Sequence, residues 1–224
     1  MQFKQTLLAL AIGVTAMSAH AATGILNAGD ILTITPGTAT TSSGGTVSPT
    51  GGSYFKMLGA GGAVINPGSD GGIVIGKITS GGQIDNWTFS GAAGQDITTN
   101  GVTAISATQL NFSGWNVLYN GATIPMTTGA WNTPTIAADY VAGPYTNGVA
   151  NFSWDGIYGH TYKLTYHATV PSNVQGFANI KYDLNLTGVV NQGAVAPVPE
   201  ASTYGMMIVG LGLVGAAVMR RRKV

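Results

Sequence analysis

Side chains able to do chemistry are few in this chain. Its 224 residues hold 8 acids, 3 histidines and no cysteine. Without cysteine there is no disulfide, no thiolate metal site and no cysteine nucleophile. The acids are Asp30, Asp70, Asp85, Asp96, Asp139, Asp155, Asp183 and Glu200. Glycoside hydrolysis needs two carboxyl groups held roughly 5–9.5 Å apart, and no local motif nominates a pair. His160 and His167 are an odd number of residues apart, so on a regular strand they face opposite ways and make a poor metal pair. Both are expected to be ordinary surface histidines. No G-x-S-x-G elbow is present, which removes the serine-hydrolase signature. Two turns offer oxygens for calcium: Asn66 to Gly72, with Asn66, Ser69 and Asp70, and Asp155-Gly156. Neither has the D-x-D-x-D-G run that supplies 6–8 oxygens, so both read as turns. The expectation is a protein that is not an enzyme, with no catalytic residue, no metal and no cofactor.

The aromatic side chains carry the one binding hypothesis. A flat ring can stack on a sugar. Trp87, Trp115 and Trp154 fall in strand-like stretches, where burial is the rule. Trp131 falls in the loop Gly129-Ala130-Trp131-Asn132, where exposure is expected. Trp131, Tyr140 and Tyr145 are therefore the candidate ligand contacts, and a carbohydrate-binding module is the alternative function.

The elements that would position these residues are strands. Charged residues make up 8% of the chain against about 25% in an average domain, and Gly numbers 34. Turn residues recur every 6–12 positions, and helical periodicity is nowhere sustained. In Thr161 to Val170, apolar Tyr162, Leu164, Tyr166, Ala168 and Val170 alternate with polar neighbours. In Ala178 to Val190, Ala178, Ile180, Tyr182, Leu184 and Leu186 do the same. Period two over ten residues predicts half-buried strands, joined here into an antiparallel hairpin by Pro171 to Gly176. Further strands are expected at Ile31–Thr35, Ser53–Leu58, Gly72–Thr79, Ile84–Phe89, Gln109–Phe112, Trp115–Tyr119 and Val149–Trp154. Residues 36–52 and 120–148 read as loops. The fold class is all-β, an antiparallel β-sandwich of jelly-roll-like type, occupying residues 22–196.

Both ends read as addresses. Residues 1–21 have Lys4, an apolar run from Leu7 to Met17, and the small residues Ala19 and Ala21 around His20. That is a signal peptide with an A-x-A cleavage site, and it implies signal peptidase and the Sec export machinery. At the other end, residues 197–224 contain Val198-Pro199-Glu200-Ala201-Ser202-Thr203, then the uncharged stretch 204–219, then Arg220, Arg221, Arg222 and Lys223. Sixteen helical residues rise about 24 Å, short of a 30 Å hydrocarbon core, with snorkelling Arg220 able to make up the rest. The basic cluster fixes the cytoplasmic side and leaves the body outside. Gly210-Leu211-Gly212-Leu213-Val214-Gly215 fits G-x-G-x-x-G only in letters, because no βαβ unit surrounds it. It reads as helix packing.

This three-part tail resembles the PEP-CTERM sorting signal, also catalogued as the ice-binding protein C-terminal domain. The motif 198–203 departs from the V-P-E-P pattern at Ala201. The resemblance implies an exosortase as partner, a transient membrane anchor at 204–219, and a final place at the cell surface or in the matrix of a Gram-negative bacterium. It also implies an association with exopolysaccharide or biofilm. Thr33 and Thr35 alone form no threonine array, so ice binding is not expected of the body.

The ends also distort the charge. The chain as a whole is +1, but residues 22–196 hold four lysines and seven aspartates, a net −3. A mildly acidic body excludes nucleic acid as a partner. What remains is a non-catalytic surface or matrix protein with polar, uncharged faces suited to polysaccharide.

Overall fold

The alternation at Tyr162, Leu164 and Tyr166 does build the longest strand pair. In the computed structural model, β14 (Thr161–Thr169) and β15 (Lys181–Asn191) run antiparallel through nine registered pairs, from Thr161 opposite Val189 to Thr169 opposite Lys181. The structure describes residues 24–43, 47–59, 61–89, 92–132, 144–174 and 176–193. The expected signal peptide at 1–21, Tyr140, and the tail at 197–224 with its motif, expected span and basic cluster lie outside the described residues.

Thirteen strands precede that hairpin. They are β1 (Ile31–Thr33), β2 (Thr38–Thr41), β3 (Val47–Gly51), β4 (Tyr54–Met57), β5 (Gly61–Val64), β6 (Gly72–Val74) and β7 (Trp87–Phe89). Then come β8 (Ala92–Thr98), β9 (Thr103–Ser106), β10 (Gln109–Asn111), β11 (Trp115–Tyr119), β12 (Ala122–Pro125) and β13 (Val149–Ser153). All pairings are antiparallel, and the described residues contain no helix. No helix among them is long and apolar enough to cross a membrane.

A nine-stranded sheet has the order β5-β4-β15-β14-β13-β10-β9, with β1 against the last residues of β15 and β6 against β1. A four-stranded sheet has the order β12-β11-β8-β7, and β2 with β3 forms a small hairpin. The two larger sheets share one core. Phe55 of β4 meets Trp87 of β7 at 6.2 Å between ring centroids. Phe55, Met57, Trp87, Val117, Tyr119 and Ile124 enclose an apolar gap between the sheets. Glycine lets Trp87 lie flat on its neighbour strand: a Cβ on Gly94 would fall 2.2 Å from the indole Cε2.

Register divides the nine-stranded sheet into two poles. At one pole β15 ends at Asn191, β14 begins, β13 ends and β10 begins. There too β9 ends, β1 begins opposite Asn191, and β6 ends opposite Ile31. Both chain ends enter the described structure at this pole, which is called the exit pole below. The opposite pole carries the β14–β15 turn and the meeting of Met57 with Tyr182.

Every expected strand is present in some part, and the expected loops are corrected at two places. Residues 36–52 contain the β2–β3 hairpin, fully exposed along β2 and held by backbone pairing rather than apolar burial. Residues 120–148 contain β12, joined to β11 through Asn120 and Gly121 at φ +48° and +75°. That is the two-residue turn that Asn-Gly favours.

Candidate functional site

Trp131, expected at the surface, is only 8% exposed. Its indole N–H donates to the carbonyls of Ala168 at 3.0 Å and Tyr182 at 3.2 Å. Its ring lies on the His167 imidazole, 4.3 Å between centroids and 22° from parallel. Tyr145 stacks on the same imidazole at 3.9 Å and 28°. Two near-parallel rings at such distances must lie on opposite faces, so His167 is held between them. The Lys181 ammonium stands 5.7 Å from the Trp131 ring centroid. Tyr145 is buried, its hydroxyl donating to Thr165 Oγ1 at 3.1 Å.

The surface placement of His167 is likewise corrected. It is 2% exposed, because the segment after β12 lies across the outer face of β14. Thr169 N–H donates to Thr128 O at 2.9 Å, and Thr169 Oγ1 donates to Gly129 O at 2.6 Å. The alternation of β14 therefore ends at Leu164, and from there to Ala168 both faces are buried. His167 Nδ1 lies 3.2 Å from Trp131 O, which can only accept, so Nδ1 carries the proton. Burial pulls the imidazole down to about 4, against a smaller upward pull from that hydrogen bond. At neutral pH it is an uncharged ring in a stack. Two large aromatics in a loop whose one charge is Asp139 need a surface to cover, and that is the available sequence signal.

Among the described residues, several of the other acids and histidines are held in local pairs. No group of three metal-ligating side chains occurs among the described residues. Asp70, the best oxygen in the first calcium-like turn, pairs with Lys77 at 2.7 Å. Asp155 pairs with His160 at 2.7 Å on the surface, where the hydrogen bond to His160 holds its carboxyl below the ordinary value. Asp96 is buried beneath Gln83 and Ile84, accepts the Ile84 N–H at 3.3 Å, and is pushed up by that burial. Gln83 in turn accepts the Trp115 indole N–H at 3.0 Å. These contacts fasten the segment before β7 to β8 and β11.

One carboxylate has a position of consequence. Asp30 is buried at the exit pole. Its Oδ2 accepts Asn27 N–H at 2.8 Å and the Tyr158 hydroxyl at 2.9 Å, and its Oδ1 accepts Gly193 N–H at 3.0 Å. It thus ties the incoming chain, the β13–β14 connection and the last described residues of the outgoing chain to one point. Asp30→Ala should cost about 2–4 kcal/mol, since charge-assisted bonds are lost and buried donors are left unpaired. Amide exchange checks this: the Gly193 and Asn27 amides should lose protection together, ahead of the β14–β15 ladder. Equal protection in the variant would refute the clamp.

Five residues beyond Asp30's last partner, the motif residues begin at Val198. No curated protein and no solved structure matches the chain. Residues 197–223 match the family model described as the PEP-CTERM protein-sorting motif. The chain carries this motif at its C-terminal end, and with it the mark of an exported protein that is anchored transiently in the membrane and addressed to an exosortase.

Proposed function

We propose that the protein is a non-catalytic component of the cell surface or extracellular matrix. A signal peptide at 1–21 exports it, and Arg220 to Lys223 hold its tail until an exosortase acts near Val198 to Ala201. The body is read as a jelly-roll-like β-sandwich, with polar, nearly uncharged faces that suit contact with exopolysaccharide. The observation that carries this reading is the match at 197–223, placed immediately after a folded body that clamps the chain at Gly193. Burial of Trp131 and Tyr145 weakens the alternative of a carbohydrate-binding module with an aromatic sugar site.

Intact mass of the released protein tests the sorting step. The expected product lacks residues 1–21 and the segment from about Ala201 onward. Glu200→Ala should abolish release and leave the full tail in the membrane fraction. Released material that retains 201–224, or a Glu200→Ala variant released at the normal rate, would overturn the reading.

A further inference from the structure

Five large hydrophobic side chains are exposed among the described residues: Ile25 at 44%, Leu58 at 36%, Ile78 at 65%, Ile105 at 52% and Ile157 at 50%. Three of them gather at the exit pole. Ile105 is the penultimate residue of β9, which ends there. Ile157 lies in the β13–β14 connection, beside Tyr158, whose hydroxyl reaches Asp30. Ile25 precedes Asn27, whose side-chain amide donates to Tyr158 Oη at 3.2 Å. Gly24, its neighbour, lies against Ala107 in the β9–β10 turn, where an added Cβ would be 3.8 Å from the alanine Cβ. Ile78 lies apart from them, between Lys77, which pairs with Asp70 ahead of β6, and Thr79, whose N–H donates to Thr98 Oγ1 at the end of β8. Leu58 alone belongs to the opposite pole, where its N–H donates to Lys181 O.

We propose that the exit pole is a lipid-docking face on which the body rests against the bilayer while its tail remains inserted. This rests on the sorting reading above. The chain leaves the described structure at Gly193, and the uncharged stretch starts at residue 204. The ten residues between reach at most about 35 Å, so the pole stays close to the headgroups. Such a tether sets an effective concentration near the millimolar range, where a few half-exposed isoleucines suffice. Of the charges at the pole, Asp155 pairs with His160 and Asp30 takes N–H and hydroxyl donors, while Lys163, opposite the last residue of β13, is exposed. Docking rests on the apolar side chains, and a single exposed lysine leaves its dependence on lipid charge small.

The absence of cysteine makes the test clean. Full-length chain is inserted into phosphatidylcholine vesicles with a single fluorophore at Ala107→Cys on the exit pole or Ser172→Cys in the β14–β15 turn. Lipids carrying a shallow quencher should darken the label at 107 and leave the label at 172 bright, to nearly the same extent in vesicles containing anionic lipid. Ile25→Ser and Ile157→Ser should each lower the docked-to-free ratio about fivefold, half of an isoleucine's burial being lost. Equal quenching at both labels, no change in the serine variants, or quenching at 107 that appears only with anionic lipid would overturn docking while leaving the anchor intact. Self-association of the chain that protects residue 107 without quenching would point to a second copy and also overturn it. A chain that does not stay with the vesicles overturns the anchor and the docking together.

Discussion

Trp131→Ala is expected to lower the unfolding free energy by about 3–5 kcal/mol, the range for truncating a buried tryptophan. Three losses add up here. The ring leaves a void against His167, two strand carbonyls lose the indole N–H, and the Lys181 contact disappears. The segment 126–132 would then detach from the outer face of β14, exposing His167, which its Trp131 now covers. Urea unfolding measures the total, and Trp131→Phe separates its parts. Phenylalanine keeps a stacking ring but loses the N–H and part of the ring volume, so it should cost about 1–3 kcal/mol. A Trp131→Ala variant with unchanged stability and altered polysaccharide retention would restore the sugar-site reading. Loss of retention together with loss of stability would not, since the defect would then be in the fold.

That outcome turns on what the sequence could convey. Alternation is a local signal, and it locates β14, β15 and their hairpin because exposure follows the pleat from Thr161 to Leu164. It could not convey that a loop far along the chain lies over the polar face of β14. The burial of His167 is a tertiary fact, set by Trp131 and Tyr145 rather than by its strand neighbours. β8 was missed for a related reason. Ala92 to Thr98 reads AAGQDIT, poor in strand formers, and it is held by β7 on one side and β11 on the other. Asn120-Gly121 is a hairpin signal that the loop reading of 120–148 passes over, and with it β12. The tail was the opposite case. Its residues are recognised by order and chemistry alone, so the match at 197–223 needs no fold to be seen. The fold adds where that address begins: at a clamp on Asp30, on the same pole as Ile25, Ile105 and Ile157.

The same stack makes stability depend on pH through His167. Its folded value is about 4, against 6.5 for the unperturbed side chain. Between these values the unfolded chain binds the proton and the folded chain does not, so stability rises with pH. The contribution is fully present above about pH 6.5, falls as pH drops through the window, and is exhausted near pH 4. The difference amounts to about 3 kcal/mol across the window. Asp96 acts in the opposite sense, because burial raises its folded value and favours the fold at low pH. Comparison with a variant is therefore needed to isolate the histidine. His167→Phe keeps a ring between Trp131 and Tyr145 and cannot take up a proton. Its urea-unfolding free energy should lack the loss of about 3 kcal/mol that the native chain shows between pH 6.5 and 4. Parallel pH profiles for the two proteins would mean that His167 is not the buried neutral group that the stack requires.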